Sequence, residues 1–280
     1  DALPEKDDNI DLFVVPCIQL FYKGQVGNLD VHYRPAYRYR TNPSDIQNES
    51  ELLHDLGLAG DYELVPRRMI VRASEQFYLT DDPAIVQEGT TLRRDSSFIL
   101  NQAEAGSKLL FDERTHVDLR ARHHIKRYDE KLVAEESDED SLNGRLMMFR
   151  AMDSGKLGLM VVGEYESFDY ASARGFERGF NLLAGGLGMV IRPGKMLKTD
   201  VYAGYRQLDY QDSALGSDSA PYVQLIVSLI PHDMTEIRAS GSYMLRNSDV
   251  YPYASQESTA GGLGLTWKPL VSWAFDVLGE

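Results

Sequence analysis

Residues Leu29-Asp-Val-His-Tyr-Arg-Pro-Ala-Tyr-Arg-Tyr-Arg40 alternate between two kinds of side chain along their whole length. The odd-numbered positions are apolar or aromatic, and the even-numbered positions are mostly charged. Successive side chains of a β-strand point to opposite faces of a sheet, so this pattern predicts a strand with one apolar and one polar face. A run of about 12 residues exceeds the usual strand of globular proteins and is long enough to cross a bilayer when tilted.

The same alternation recurs in three other stretches, at residues 69–80, 116–128 and 235–246. Short turns are predicted at intervals of roughly 40 residues, and each interval holds two strand-like runs around one longer polar connection. A rhythm of short turn, strand, long loop and strand is typical of an up-and-down antiparallel barrel. The predicted turns lie near residues 24–28, 66–68, 112–115, 153–156, 194–196, 231–234 and 268–269.

The predicted fold class is all-β, an up-and-down antiparallel transmembrane β-barrel formed by residues 1–280 as a single domain. The sequence contains no run of about 20 apolar residues, which excludes a transmembrane helix. A soluble β-sandwich would also alternate, but the strand lengths and the placement of aromatic residues favour the barrel. About fourteen strands are predicted, at residues 9–23, 29–40, 52–64, 69–80, 97–111, 116–128, 141–152, 157–170, 179–192, 197–210, 220–230, 235–246, 258–268 and 271–280.

The two ends of the chain carry a separate expectation. Bacterial barrels have short periplasmic turns and longer external loops, so residues 9–23 should run inward and residues 271–280 outward. We therefore expect an internal portion of a barrel of 16 or more strands, truncated at both ends. The alternative is that the strand count is wrong by one at each end.

Charge and cysteine content exclude several function classes. The formal net charge is −14, which argues against general nucleic-acid binding because such proteins need a basic surface. Cys17 is the only cysteine, so the chain has neither an internal disulfide framework nor a cysteine cluster for zinc. The sequence contains no recognisable nucleophile motif, and we predict neither catalytic residues nor a metal or other cofactor.

Charged residues on the polar face of the predicted strands are candidates for lining a barrel interior. A charge that faced lipid at mid-membrane would cost about 2–4 kcal/mol, so these side chains should meet water or each other. They are consistent either with a polar passage or with structural salt bridges inside a narrow or plugged barrel, and the two interpretations stay open. The candidates are Arg34, Arg38, Arg72, Arg120, Arg122, Lys126, Arg145, Arg238, Asp55, Asp61, Glu63, Glu104, Glu164 and Glu166.

Aromatic residues gather where the predicted strands meet the long connections. Amphipathic rings favour the membrane–water interface, so this grouping predicts an aromatic girdle. The alternative is the ordinary preference of Tyr and Phe for β-strands. The predicted girdle residues are Tyr37, Tyr39, Phe77, Tyr128, Tyr170, Tyr205, Tyr210 and Tyr243.

Two further clusters of residues could suggest metal binding, but simpler explanations are favoured for both. The acidic stretch 135–140 could bind calcium, but it lacks the ligand spacing of a known calcium loop and is better explained as a solvated charge run. His123 and His124 are neighbours on a predicted strand and should point to opposite faces, so they cannot easily share one metal ion.

The chain resembles the bacterial outer-membrane β-barrel porin family associated with exopolysaccharide biosynthesis and export. The resemblance is carried by Asp7-Asp-Asn-Ile10 before an early strand, by residues 29–40, and by Val201-Tyr-Ala-Gly-Tyr-Arg-Gln-Leu-Asp-Tyr210 and Ala239-Ser-Gly-Ser-Tyr-Met-Leu-Arg246. It is a similarity of style over nearly the whole chain, with no single diagnostic motif. It implies an outer-membrane barrel that lets polysaccharide cross, and it supplies no catalytic residues.

The leading hypothesis is therefore a bacterial outer-membrane channel that gives passive polar passage, with exported polysaccharide as the solute that the resemblance implies. Tyr62, Tyr202 and Tyr222 are weak candidates for contacts with sugar. Two alternatives stay open: a plugged, structural barrel that anchors or displays loops to a protein partner, and a membrane-embedded lipid hydrolase. The predicted partners are outer-membrane lipid and lipopolysaccharide, with polysaccharide and periplasmic export proteins as further candidates.

Overall fold

The computed structural model describes residues 11–41, 50–80, 97–152, 156–171, 179–232, 234–247, 255–270 and 273–279. These residues form fifteen strands and one short helix, α1, which lies between β7 and β8. The elements are β1 Asp11–Val14, β2 Ile18–Lys23, β3 Gly27–Arg40, β4 Ser50–Val65, β5 Met69–Thr80, β6 Phe98–Leu110, β7 Thr115–Tyr128, α1 Lys131–Ser137, β8 Glu139–Ala151, β9 Leu157–Tyr170, β10 Phe180–Ile191, β11 Leu197–Tyr210, β12 Ser217–His232, β13 Thr235–Asn247, β14 Ser255–Leu270 and β15 Trp273–Gly279.

All fifteen strands belong to one antiparallel sheet, in which each strand from β3 to β15 lies beside its neighbours in sequence. This arrangement confirms the predicted all-β, up-and-down antiparallel architecture. Within the described residues, β15 pairs with β14, and both β1 and β2 pair with β3. The prediction that further strands complete a barrel of 16 or more stays a prediction.

The first predicted strand, residues 9–23, is in fact divided. β1 pairs with the far end of β3 through Leu12 and Tyr39, and β2 pairs with its near end through Leu20 and Val31. Residues 15–17 between them are not in a strand, and they include Pro16. Proline has no backbone N–H to donate to the ladder, so it interrupts pairing at this point.

Residues 129–140 lie between two of the predicted strands, where a polar connection without regular structure is expected, and the structure differs there. Residues Lys131–Ser137 form α1, with the backbone N–H of Ala134 donating to the carbonyl of Glu130 at 2.8 Å. β8 then begins at Glu139 rather than at the predicted 141. Ala, Leu, Glu and Lys are good helix formers, and a seven-residue helix is too short for its periodicity to be recognised in the sequence. No helix among the described residues is long and apolar enough to cross a membrane.

The strand register places alternate residues of every strand on two contrasting faces. The first, which we call the leucine face, carries Leu58, Leu119, Leu146, Leu187 and Leu263, all with much of their surface exposed. Other large apolar side chains on this face lie exposed along the sheet from β2 to β14, including Leu20, Leu56, Met148, Val161, Leu183, Val223, Leu225, Leu265 and Trp267.

The second face, which we call the arginine face, carries most of the charged strand residues and also the main cluster of buried apolar ones. That cluster combines Leu182 of β10 and Leu208 of β11, which are directly paired, with Ala220 of β12. Leu208 is completely buried. Most of the buried apolar residues therefore lie on the arginine face, and most large apolar side chains of the leucine face are left uncovered. Val117 and Leu245 are buried residues with the register of the leucine face.

Candidate functional site: the arginine face

The register places all fourteen predicted interior residues on the arginine face. On β3 and β4, for example, Arg34 is directly opposite Asp55, and on β6 and β7 Glu104 is directly opposite Arg122. The full set is Arg34, Arg38, Arg72, Arg120, Arg122, Lys126, Arg145, Arg238, Asp55, Asp61, Glu63, Glu104, Glu164 and Glu166. Whether they line a water-filled interior is not decided by register alone and stays a prediction.

Cross-strand ion pairs occupy this face on β3 and β4. Arg34 contacts the carboxylate of Asp55 at 3.0 Å, and the Nε2 atom of His32 lies 3.2 Å from the other oxygen of the same carboxylate. Arg38 donates to Glu51 in a pair that is almost fully buried. Asp61 accepts a hydrogen bond from the side-chain amide of Asn28 at 3.1 Å. These contacts fix the side chains against the strands.

A second network spans β5, β6 and β7. Asp118 accepts from Nε of Arg120 at 2.7 Å and lies 3.4 Å from Arg72, which is two strands away. Arg122 contacts Glu104 at 3.2 Å. The intervening strand carries Gly106 at this level, where an added Cβ would lie 2.8 Å from the Leu119 carbonyl and 3.4 Å from Cγ of Arg120. The missing side chain at Gly106 therefore leaves space for the arginines on either side.

Near α1, Lys126 lies in a closed environment. Its Nζ is 4.6 Å from the centroid of the Phe98 ring and 4.8 Å from that of Tyr128, and it is 3.9 Å from Glu139. Both charged side chains are at least 96% buried, with exposures of 4% and 3%. Water cannot solvate these two buried charges. Their stabilisation therefore comes from their mutual attraction and from the contact of the ammonium group with the two ring faces.

A groove of about 420 Å³ lies on the arginine face between β2 and β6. The residues that line it include Phe21, the acidic Asp30 and Asp61, and the basic Lys23 and Arg72. Phe21 is 64% exposed although it lies on the polar side of its strand, directly opposite Asp30. The groove size is within the usual range for small-ligand sites.

From β9 to β12 the same face is built mainly from glycine, aromatic and aliphatic residues. The Tyr222 ring lies flat over its neighbour Gly204 and reaches Gly186 one strand further on. A Cβ at Gly186 would lie only 2.5 Å from the Tyr222 hydroxyl and 2.6 Å from the Ala203 carbonyl. Tyr202 similarly directs its hydroxyl toward the sulfur of Met160, at 3.7 Å. These rings extend across the neighbouring strands and lie close to the sheet surface.

We call β3–β8 of the arginine face the charged region and β9–β12 the glycine–aromatic region. The second region also has charged exceptions. Glu164 accepts from Asn143 of β8 at 2.8 Å, and Lys198 lies 2.9 Å from Asp200 on β11. The other charged residues of this region are Glu166, Arg206 and Asp218. Arg238 lies on β13, opposite Ser228, outside both regions. Glu63 lies at the short turn before β5, where it accepts from the backbone N–H of Arg67.

The predicted aromatic girdle is divided between the two faces. Tyr37, Tyr39, Phe77, Tyr205 and Tyr243 lie on the leucine face, and Tyr62, a weak sugar-contact candidate, also lies there. Tyr128, Tyr170 and Tyr210 lie on the arginine face, so the girdle residues do not share one face, and the girdle itself stays a prediction. Each of them alternates in phase with the buried residues of its strand. Tyr210 belongs to the apolar cluster that contains Leu182 and Leu208, and Tyr170 packs against that cluster.

Three acidic residues that form ion pairs with predicted interior residues are not among the candidates predicted from the sequence. Glu51, Asp118 and Glu139 each hold a predicted cation, and all three are at least 86% buried by side chain. Asp118 alternates with the basic residues of its own strand, so the alternation pattern could have identified it. Glu51 and Glu139 could not have been found without the pairing register, because their partners are on neighbouring strands.

The two adjacent histidines have separate environments, as their alternation predicts. His123 lies 3.0 Å from Asp140 on the leucine-face side, whereas Nδ1 of His124 lies 3.1 Å from Gln102 on the arginine face. In the part of the chain that the structure describes, no group of three His, Cys, Asp or Glu residues is placed to hold a metal ion. In the short turn after β6, a hydrogen bond from the Arg114 backbone N–H lowers the pKa of Asp112.

No family model matches this sequence, and no curated protein matches it. The fold is similar to that of the ferric-catecholate import receptor Fiu from E. coli K12 in its open form, with a TM-score of 0.49 and 9% identity over 95% of this chain and 58% of that one. It is also similar to the ferric citrate transporter FecA in the unliganded form, with a TM-score of 0.37 and 12% identity over 95% of this chain and 50% of that one. The chain thus spans between half and three fifths of these proteins, and at such scores neither likeness supports an inference about function.

Proposed function

We propose that this sheet forms the wall of a transmembrane β-barrel in the bacterial outer membrane, with the leucine face toward lipid and the arginine face toward a water-filled interior. The observation that carries the proposal is the leucine face itself. Large apolar side chains such as Leu187, at 68% exposure, and Leu263, at 63%, lie uncovered on twelve of the thirteen strands from β2 to β14, and β5 is the exception. Soluble monomers rarely expose apolar patches above a few hundred Å², and lipid is the natural cover for one of this extent.

The charges of the arginine face support the same orientation. Arg72, Arg120 and Arg122 each keep more than two fifths of the side chain exposed, so their charged groups need water. Directed to lipid at mid-membrane, each would cost about 2–4 kcal/mol. β3, β5, β7, β9 and β11 have 12–14 residues, which is enough for a tilted strand to cross the hydrocarbon layer.

In this proposal the protein gives passive passage to polar solutes, without bond chemistry. The finer part of the proposal is that the solute is an exported polysaccharide. The family resemblance supports it, and so do the Tyr202 and Tyr222 rings, because a flat aromatic ring offers a face to the C–H groups of a sugar. Lipopolysaccharide on the lipid side and periplasmic export proteins are the partners that this location would bring.

The test is the conductance of the purified full chain in planar lipid bilayers. We expect stable single-channel steps in the native chain. Ser74→Trp adds bulk on the arginine face and should reduce the step size, whereas the matched Ala73→Trp adds the same bulk on the leucine face and should leave it unchanged. Protein that is inserted in lipid yet gives no conductance would contradict the passage function, and block of the current by dextran oligosaccharides would support polysaccharide as the solute.

Burial near the long connections favours a second candidate, a plugged barrel that anchors or displays loops. Leu100, Leu182 and Leu208 lie on the arginine face beside these connections and have 0–2% exposure. Side chains of a wide, open pore would be wetter there. The same bilayer experiment separates the two functions, because a plugged barrel inserts in lipid without conducting.

A further inference from the structure

Two arginines occupy directly opposite positions on neighbouring strands of the arginine face. Arg120 of β7 is paired in register with Arg145 of β8. Like charges directly opposite in an antiparallel sheet repel each other and destabilise the pair, because their Cβ atoms are only about 5 Å apart. A wall selected for stability alone would place an acidic residue at one of these positions.

The carboxylates around them are less exposed than the arginines. Arg72, Arg120 and Arg122 share two acidic partners, Asp118 and Glu104. Asp118 is 7% exposed and Glu104 is 29% exposed, whereas the three arginine side chains are 41–46% exposed. The carboxylates therefore lie deeper in the wall than the arginine side chains, so a solute on this face would meet the arginines first.

Arg145 adds a fourth guanidinium to this surface. No hydrogen bond or ion pair joins it to another residue in the described parts of the chain. Its acidic neighbour on β9, Glu164, is directly opposite but bonds to Asn143 at 2.8 Å. Asp61, opposite Arg72, bonds to Asn28 in the same manner. We call Arg72, Arg120, Arg122 and Arg145 the arginine cluster.

We propose that the arginine cluster is a binding site for oxyanions, namely the carboxylate, phosphate or sulfate groups of solutes that pass along the arginine face. An oxyanion between Arg120 and Arg145 would accept paired hydrogen bonds from planar guanidinium forks and would remove the repulsion between them. The site gives the wall a local preference for anions, although the chain as a whole carries a net charge of −14. This inference rests on the proposed function for its role in transport, but binding itself does not require conduction.

The first experiment measures binding without a membrane. Inorganic phosphate is titrated into the folded full chain in detergent micelles, with binding followed by isothermal titration calorimetry. Arg145→Gln should weaken phosphate binding about tenfold, as expected for the loss of one charge-assisted bidentate contact. Arg145→Lys keeps the charge without the fork and should give an intermediate loss. The matched control is Arg238→Gln, which removes an arginine from the same face outside the cluster and should leave binding unchanged.

The second experiment measures ion selectivity from the reversal potential of single channels in a KCl gradient. Arg145→Gln should shift the permeability ratio toward potassium, and Arg238→Gln should shift it less. Equal shifts in the two variants, or phosphate affinity unaffected by Arg145→Gln, would overturn the anion site. A chain that binds phosphate in an Arg145-dependent way but never conducts would overturn the passage function and leave the anion site standing. Gel mobility with and without heating checks that each variant is folded.

Discussion

The charged region and the glycine–aromatic region lie on the same face of one sheet, yet they are filled in opposite ways. In the charged region, side chains cross between strands as ion pairs, such as Arg72 with Asp118 over Gly106. In the glycine–aromatic region, rings such as Tyr222 occupy the space that Gly186 and Gly204 leave empty. Side chains of the charged region are held mainly by ion pairs in contact with solvent, and those of the glycine–aromatic region mainly by close packing.

This difference indicates where function is concentrated. The guanidinium groups of the charged region remain partly exposed, so they can exchange their partners for a solute. In the glycine–aromatic region, by contrast, Met160, Val162 and Leu182 are almost fully buried and leave little surface for a solute to contact. We therefore expect substitutions in the charged region to alter selectivity and salt dependence, and substitutions of the packed glycine and aliphatic residues in the glycine–aromatic region to alter stability.

The largest loss of stability should come from substituting Lys126, which combines a buried ion pair with packing against aromatic rings. Lys126→Met keeps the contacts with Phe98 and Tyr128 but removes the lysine cation beside the buried Glu139, which leaves His124, at 3.6 Å, as the remaining ion-pair partner of that carboxylate. Breaking one side of a buried ion pair costs about 3–5 kcal/mol, and we expect a loss of this size in the free energy of unfolding. Urea titration of the protein in lipid vesicles measures it.

The control is the double variant Lys126→Met with Glu139→Gln. It removes both charges, so it should recover most of the lost stability. If the single and double variants are equally unstable, packing rather than charge accounts for Lys126, and the contrast between the two regions fails at this position.

The next effect should come from Gly186→Ala in the glycine–aromatic region. The new Cβ would overlap the Tyr222 hydroxyl and the Ala203 carbonyl, and overpacking of this kind costs about 1–3 kcal/mol. Gly163→Ala is the matched variant, because a Cβ there meets nothing within 4 Å. The same urea titration should give a loss for Gly186→Ala alone, and its size should not depend on salt. Equal tolerance of both alanines would show that Tyr222 does not pack as described.

A smaller effect is expected for Asp118→Asn in the charged region. It removes the anion that holds Arg120 and Arg72, at a cost of about 1–2 kcal/mol, because both cations remain partly hydrated. Since salt screens partly exposed pairs, the difference from the native chain should shrink between low salt and about 1 M salt. Glu236→Gln on β13 is the control, and it should be near neutral. A cost for Asp118→Asn that does not change with salt would contradict the role of charge in this region.

The smallest effect concerns Asp112, in the short turn at the edge of the charged region. Its pKa is lowered by the hydrogen bond from the Arg114 backbone N–H, so the ionised form is favoured in the folded state. This contribution is present above the ordinary carboxyl pKa of 3.8 and is lost as the pH falls through the lower, folded value. Asp112→Asn should therefore remove a small acid-dependent loss of stability, measurable by urea titration between pH 5 and pH 2. An unchanged pH profile would show that the turn does not depend on this carboxylate.

The strands could be predicted from the sequence because alternation is a local property. β5, β9 and β11 begin and end at the predicted residues, and all fourteen charged candidates share one face. The division of the girdle residues between the two faces, with Tyr128, Tyr170 and Tyr210 on the arginine face, could not be seen from their position at the strand ends alone. The helix α1 is too short for a periodic signal.

Cross-strand chemistry could not be predicted, since it depends on pairing register. The opposition of Arg120 and Arg145, the burial of Glu139 beneath Lys126, and the contact of Tyr222 with Gly186 all join residues that are 13–36 positions apart. The sequence shows only that such residues occur at alternate positions of predicted strands. Only the register shows which of them meet.

The most direct test of the central claim is the accessibility of two adjacent residues of β5 in membranes. In a Cys17→Ser background, Ser74→Cys places a thiol on the arginine face and Ala73→Cys places one on the leucine face. A charged, membrane-impermeant thiol reagent should modify Ser74→Cys rapidly and Ala73→Cys very slowly, while a bimane label on Ala73→Cys should be quenched by brominated lipid. Equal modification of both residues, without quenching by lipid, would contradict a sheet with one face in the bilayer and the other in water.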